Sequence, residues 1–238
     1  MAKPPTFGNV ARLWRYPVKS LLGERRDRLD LNARGVAGDR LYAIRNVDGK
    51  LASGKNTQRF FRLEGLLAYQ AALDGEVPVI SFPDGRTLRA DQAGMHAALS
   101  KAFDQSLTLV REERVVHMDA GAIHLLTTAS LEWLKNAIPG VIVDETRFRP
   151  NLLVDVPGAT LAEQDWMGKT LSIGEEVVVR VSEPTERCAL VSTPQSGLPF
   201  DERILRCLAQ KADFSLGVYA EVLTPGRIRC GDEVFALA

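Results

Sequence analysis

The sequence predicts a mainly β protein of the α+β kind: a β-barrel domain, an N-terminal β-barrel-like module and a few peripheral helices. Three observations predict it. Short runs rich in β-branched and aromatic residues recur along the 238-residue chain. Turn signals separate them, at Ala37-Gly38-Asp39, Asp48-Gly49, Asp74-Gly75 and Asp84-Gly85. Helical periodicity is confined to a few segments and shows no βαβ rhythm, which favours a closed barrel over a doubly wound parallel sheet.

In chain order, residues 10–16, 28–31, 41–46 and 78–82 read as strands. Asp48-Gly49 and Asp84-Gly85 read as hairpin tips, because the left-handed backbone there suits Asp and Gly. Asp91 is expected to cap a helix running to Phe103, with Met95, Ala98, Leu99, Ala102 and Phe103 on one face. A strand at 107–111 follows. The charged segment Glu112-Glu113-Arg114 then marks the expected boundary between a module at 8–111 and a domain at 112–238. Beyond it, an apolar strand near 122–126 runs into Thr127-Thr128-Ala129-Ser130. A hydroxyl there can cap a helix over 131–138, which Pro139-Gly140 ends. Further strands are expected at 151–155, 170–173, 177–182, 217–222 and 232–237, and Asp201 is expected to cap a helix reaching Lys211.

A hydrophobic fraction of 45% with 25% charged residues is ordinary for a protein with a real core. Thirty basic and thirty acidic residues cancel, so nothing global points to nucleic acid or an anionic membrane. Between Arg12 and Arg62, however, thirteen basic residues face five acidic ones. Such an excess is either a solvated face or a site for an anion such as phosphate. No stretch approaches the ~20 apolar residues of a membrane span, and the first ten residues lack the apolar run of a signal peptide. The three cysteines, Cys188, Cys207 and Cys230, are 19 and 23 residues apart. That spacing fits no disulfide framework, zinc site or iron–sulfur motif, and a cytoplasmic setting is expected.

Cys188 lies in Glu186-Arg187-Cys188-Ala189-Leu190, after a strand and an expected Pro184-Thr185 turn. The adjacent arginine favours the thiolate, the form that attacks electrophiles or binds soft metals. A buried structural cysteine is nevertheless the commoner fate of a lone Cys. The histidines are His96, His117 and His124, and nothing in the sequence pairs one with Cys188 or builds a zinc site. His124, in an apolar strand, reads as a core imidazole. Three patches are polar beyond what a turn requires: Tyr16-Pro17-Val18-Lys19-Ser20, Gly38-Asp39-Arg40 and Arg147-Phe148-Arg149-Pro150-Asn151. Each alone reads as surface charge. Together they supply the guanidinium forks, ammonium and hydroxyl that a phosphorylated ligand demands. No glycine-rich phosphate loop, GxSxG elbow or HExxH helix occurs.

In this order the patches resemble the MOSC family. Leu13-Trp14-Arg15-Tyr16-Pro17-Val18-Lys19-Ser20 with Gly38-Asp39-Arg40 resembles its N-terminal β-barrel module. His124-Leu125-Leu126-Thr127-Thr128-Ala129-Ser130-Leu131, then Arg147 to Asn151, then Arg187-Cys188 resemble the MOSC domain proper. Gly217-Val218-Tyr219-Ala220-Glu221 and Pro225-Gly226-Arg227-Ile228-Arg229 with Gly231-Asp232 resemble its closing strands. The resemblance covers nearly the whole chain and points to the amidoxime-reducing members, mitochondrial and bacterial.

It implies a molybdenum–pterin cofactor, with Cys188 on the metal and residues of both halves of the chain around the rest. Lys19, Ser20, Arg40, Arg149, Asn151, Glu186 and Arg187 would hold the pterin and its phosphate. Close relatives offer hydroxyl side chains just before the His124 strand. Here Asp119 is followed by Ala120 and Gly121, which can serve only through backbone N–H groups. After the cysteine, Thr193-Pro194-Gln195-Ser196-Gly197 replaces the relatives' acidic Asp-Pro segment, a departure that bears on substrate range. The implied reaction is reduction of small N-hydroxylated compounds by electrons from separate flavin, iron–sulfur or haem proteins. No iron–sulfur cluster is expected in this chain. The alternative is a non-redox carrier of the cofactor, or of sulfur on Cys188.

Overall fold

The computed structural model describes residues 6–113 and 116–237. Residues 1–5, part of the N-terminus expected to lack a signal peptide, and Arg114 of the expected boundary segment lie outside the described residues. The strands of the first half are β1 (Thr6–Arg15), β2 (Glu24–Arg26), β3 (Arg28–Asn32), β4 (Gly35–Val36), β5 (Tyr42–Asn46), β6 (Leu51–Ser53), β7 (Phe60–Arg62), β8 (Gln70–Asp74), β9 (Val77–Ser81) and β10 (Thr87–Arg89). Helix α1 (Met95–Phe103) and β11 (Leu107–Arg111) complete it. The second half runs β12 (Ile123–Thr127), α2 (Thr128–Ala137), β13 (Leu152–Asp155), β14 (Thr170–Ile173) and β15 (Val177–Glu186). It ends with α3 (Arg203–Lys211), β16 (Ser215–Thr224), β17 (Gly226–Arg229) and β18 (Glu233–Ala236). The chain is mainly β with few helices, the class expected.

Two compact units are formed. One contains the described residues up to Trp14, Arg25–Ala37 and the chain from Ala120 onward; the other contains Arg15–Glu24 and Gly38–Asp119. A single cut after residue 111 does not coincide with them. The reason is strand pairing: β1 pairs with β13 and β18, and β3 pairs with β17, so N-terminal strands are built into the unit of the C-terminal half.

In that first unit seven strands close into a barrel, in the order β13-β12-β16-β15-β14-β18-β1, with β1 pairing back onto β13. The β12–β13 pair is parallel, and α2 lies on the connection between them. β12 is buried along its whole length. Ile123 and Leu125 join Leu13, Leu152, Val179 and Val218 in the barrel core, whereas Leu126 packs with Leu134, Ile204 and Leu208 from α2 and α3. Two buried faces explain an apolar run with no alternation. By contrast, β3 buries only Leu29 and Leu31 between exposed residues, the period-two pattern of a one-sided strand. Truncating Leu125 to alanine would cost about 2–5 kcal/mol.

Helix α2 is capped as expected. The Thr127 Oγ1 accepts the Ser130 N–H at 3.1 Å, although the helix begins three residues earlier than the apolar pattern suggested. At α3 the cap position is Glu202, which makes no side-chain cap bond, and Asp201 one residue earlier accepts the Arg203 N–H at 3.0 Å. The expected turn at Pro184-Thr185 is a correction: β15 continues through both residues, with Pro184 opposite Val218 and irregular register on either side. Proline is tolerated because the other neighbour, β14, pairs only as far as Arg180, so no ladder bond needs its missing N–H.

The second unit has a β8-β9-β10 meander and a β11-β5-β6-β7 sheet. Its core includes Val18, Leu21, Ile44, Ala71, Ile80, Met95, Leu99 and Leu109. Asp91 does not cap α1. The helix begins only after Gly94, which sits at φ 96°, and the Asp91 carboxylate is taken by the Arg89 guanidinium at 3.0 Å. No helix among the described residues is long and apolar enough to cross a membrane.

Candidate functional site

In the barrel unit the candidate residues follow from how two segments leave the sheet. The Arg147-Phe148-Arg149-Pro150-Asn151 segment opens with a tight turn at Glu145–Arg147, capped by Asp144, whose carboxylate accepts the Thr146 N–H at 2.8 Å. Pro150 disfavours right-handed helical backbone at the residue before it. Arg149 accordingly leaves the turn, but into the left-handed region, at φ 56°. Asn151 then enters β13 almost fully buried. Its Oδ1 accepts the His124 N–H at 3.1 Å and its Nδ2 donates to Trp14 O at 3.3 Å. That side chain therefore ties β12 to β1 across the barrel seam.

Arg147 takes a different place from Arg149. It is 1% exposed and donates to the backbone oxygens of Ile142, Val191, Thr193 and Pro199, over 2.7 to 3.4 Å. Burial lowers its pKa, opposed by Asp201 and Asp144. It pins the segment that follows Cys188.

Cys188 comes two residues after β15, with extended backbone and an exposed side chain, and a short helical turn at Ala189–Ser192 starts immediately beyond it. Cys207 is buried and Cys230 partly so, and burial pushes both of those thiols up in pKa. Cys188 is thus the accessible thiol of the three. Its neighbour Arg187 is held on three sides. Its N–H donates to Phe214 O at 2.7 Å, its Nη2 donates to Phe148 O, and its Nη1 lies 3.5 Å from His124 Nε2. Glu186, the last residue of β15, is exposed. Thr185 Oγ1, Ser192 Oγ and both amide atoms of Gln195 are buried with no hydrogen-bond partner among the described residues. Four orphaned polar atoms so close in sequence to one cysteine are unusual, since each costs about 1–3 kcal/mol unless something meets it.

Sequence reading missed two contributors here. His124, read as a core imidazole, is buried as expected but presents Nε2 to Arg187. Glu163 is fully buried and collects three donors: Thr127 Oγ1 at 2.6 Å, Ser130 Oγ at 2.6 Å and the Gly217 N–H at 3.0 Å. Gly217 must be glycine. It sits at φ 85°, and a Cβ there would collide with His124 Nε2. Gly121 is also required, because a Cβ would run into the Tyr219 side chain, while its neighbour Ala120 is exposed. A single sequence carries no signal for a glutamate that acts through three partners far from it along the chain.

The remaining candidates lie in the second unit, where Lys19 and Arg40 each sit over an aromatic ring. Lys19 is 2% exposed, with its N–H donated to Tyr42 O at 2.8 Å and its ammonium 4.5 Å from the centre of the Phe60 ring. Its Nζ lies 2.9 Å from Asp119 Oδ2. Ser20 is at φ 64° and donates from Oγ to Ala52 O at 3.2 Å. Arg40 is at φ 49°, with its guanidinium 4.8 Å from the Tyr16 ring centre and paired with Asp39. Asp39, fully buried, also accepts the Tyr16 N–H at 2.7 Å. It is the fixed counter-ion of this patch.

Ser20, Arg40 and Arg149 are three of the six non-glycine residues with positive φ among the described residues. Also among the described residues, no three His, Cys, Asp or Glu side chains converge to hold a metal ion.

A family model for the MOSC N-terminal beta barrel domain matches residues 7–135, and one for the MOSC domain matches residues 112–235. The chain is 25% identical to the mouse mitochondrial amidoxime-reducing component 1, over 97% of this chain and 82% of that protein. The crystal structure of the YuaD protein from Bacillus subtilis superposes with a TM-score of 0.53 at 14% identity, covering 98% of this chain and 97% of that one, which shows the fold. A more distant solved structure, described as a hypothetical protein, gives a TM-score of 0.48 at 11% identity, over 98% and 69% of the two chains. Between them the two family models span almost the entire chain, and it belongs to the MOSC family.

Proposed function

We propose that this protein holds a molybdenum–pterin cofactor through the Cys188 thiolate and reduces small N-hydroxylated compounds with it. The observation that carries this reading is the left-handed backbone at Ser20, Arg40 and Arg149. Such conformations cost about 1–3 kcal/mol each for ordinary residues and persist where a site demands them. MOSC domains are associated with molybdenum-cofactor binding, and the mouse relative's name describes a component that reduces amidoximes.

The residues present fit the group. Cys188 offers an accessible soft ligand for the metal. In the barrel unit, Arg187 and Arg149 are assigned to anionic and carbonyl oxygens, Glu186 to ring N–H groups, and Ala120 and Gly121 to backbone donation. Asn151 acts on this site mainly by fixing the strands that carry it, since both ends of its amide are bonded to backbone. In the second unit, Lys19, Ser20 and Arg40 are assigned to phosphate. The orphaned atoms of Thr185, Ser192 and Gln195 offer donors and acceptors for substrate or for the ordered water it displaces. When bound, the cofactor supplies two-electron oxygen-atom-transfer chemistry. An amidoxime would take up two electrons and two protons, its N–O bond would break, and an amidine and water would leave. The electrons are assigned to separate partner proteins of flavin, iron–sulfur or haem type.

The test is turnover. Protein produced in a host that makes the cofactor is reduced with a viologen and given an aromatic amidoxime. Amidine formation in proportion to bound molybdenum is the expected result. Bound molybdenum with no amidine would refute the reductase reading and leave a carrier of the cofactor. A Cys188 persulfide without molybdenum would move the assignment to sulfur transfer, which the exposure of this thiol also favours.

A further inference from the structure

The Lys19 ammonium is almost completely removed from water, and a buried cation needs an anion beside it. The anion is Asp119, whose Oδ2 lies 2.9 Å from Lys19 Nζ. Asp39 and Asp119 pair with cations of this patch, and they are held very differently. Asp39 is fully buried and fixed by the Tyr16 N–H and by Arg40. The Asp119 side chain is 46% exposed and is held by its ion pair with Lys19 Nζ. The segment leading to it is strapped down by Arg59, which donates to Val116 O and Met118 O, and by Glu112, whose carboxylate accepts the His117 N–H at 2.6 Å. Arg59 and Lys55 also lie over the Phe60 ring, at 4.9 and 5.6 Å. Asp119 is therefore laid against a cluster of cations at the end of a pinned strap, with its carboxylate itself only lightly held. Burial would push its pKa up, but Lys19, Lys55 and Arg40 pull it below the ordinary aspartate value.

We propose that Asp119 is an exchangeable internal counter-anion: it neutralises Lys19 when no ligand is bound and yields that position to a phosphate-type anion. This rests on the reading that Lys19, Ser20 and Arg40 bind phosphate. One anion replaces another, so Lys19 is never left buried and unpaired. Asp119 then opposes ligand entry by the strength of a half-exposed ion pair, equivalent to a factor of about two to five in affinity. Its two effects have opposite sign, since it stabilises the ligand-free protein and weakens anion binding.

The experiment compares wild type, Asp119→Asn, Asp119→Ala and Lys19→Met without cofactor. Inorganic phosphate binding is measured by calorimetric titration, alongside the melting temperature without phosphate. Both Asp119 variants should bind phosphate about two- to fivefold more tightly than wild type while melting lower. Weaker or unchanged phosphate binding in Asp119→Asn and Asp119→Ala overturns the proposal, as does absence of binding in both. Lys19→Met separates this from the underlying reading: if it binds phosphate as wild type does, the phosphate assignment itself fails. If it loses binding while the Asp119 variants gain nothing, only the exchange fails.

Discussion

Replacing Glu163 with alanine removes an acceptor shared by the Thr127 hydroxyl, the Ser130 hydroxyl and the Gly217 N–H. Each buried donor left without a partner costs about 1–3 kcal/mol. Ser130 Oγ also lies 3.3 Å from Thr160 O and can turn to it, so two donors remain unmet. The expected loss is about 3 kcal/mol, or a melting temperature lower by about 6–12 °C for a chain of this size. Glu163→Gln keeps the volume and one acceptor oxygen and should cost about 1 kcal/mol or less. The two variants differ in pH dependence as well. Burial raises the Glu163 pKa, opposed by the hydrogen bonds from Ser130 and Thr127. A raised folded pKa means that this group's stabilisation is complete below the ordinary carboxylate value and is lost as pH rises through the folded one. The advantage of wild type over Glu163→Gln should therefore shrink from acid toward neutral pH. Thermal unfolding followed by circular dichroism across that range measures both effects. An alanine variant melting within about 2 °C of wild type, by the same scale, would refute the account of this network. So would a wild-type advantage over Glu163→Gln that grows with pH.

Other predictions follow from the same geometry. Gly217→Ala should destabilise by about 2–4 kcal/mol, since it combines a left-handed backbone with a collision at His124 Nε2, and denaturant midpoints read the loss. Arg147→Met should loosen residues 191–199 by removing the three backbone anchors at Val191, Thr193 and Pro199, which limited proteolysis detects as new cleavage near Ser196-Gly197. The Asp119 pair should show the opposite pH sign to Glu163. With a lowered folded pKa, its stabilisation is present above about 3.9, the unfolded value, and lost as pH falls through the folded one. The wild-type advantage over Asp119→Asn should be about 1 kcal/mol near neutral pH, because the carboxylate is half-exposed, and should vanish in acid.

Much of the barrel was readable because its strands carry local signals. The apolar run before Thr127 marks a strand buried on two faces, and the hydroxyl that follows is the cap of α2. Asp48-Gly49 and Asp84-Gly85 close the hairpins they were expected to close. What escaped is non-local. The interleaving of the units depends on β1 and β3 finding partners near the C-terminus, pairings that no short window of sequence records. Pro184 lies inside a strand because its other neighbour stops short, which is a property of β14 rather than of the proline. Of the two arginines in Arg147-Phe148-Arg149, spacing alone does not say which is a buried loop anchor and which is in a left-handed conformation before Pro150.

Molybdenum content tests most directly whether Cys188 carries the metal, as proposed. Wild type and Cys188→Ser are produced in a cofactor-competent host and purified without exposure to chelators or oxidants. Metal analysis and circular dichroism are then run on the same samples. With the exposed thiol removed and the fold unchanged, molybdenum should fall to near background in the serine variant, while wild type approaches one atom per chain. Equal molybdenum in the two proteins would contradict the account.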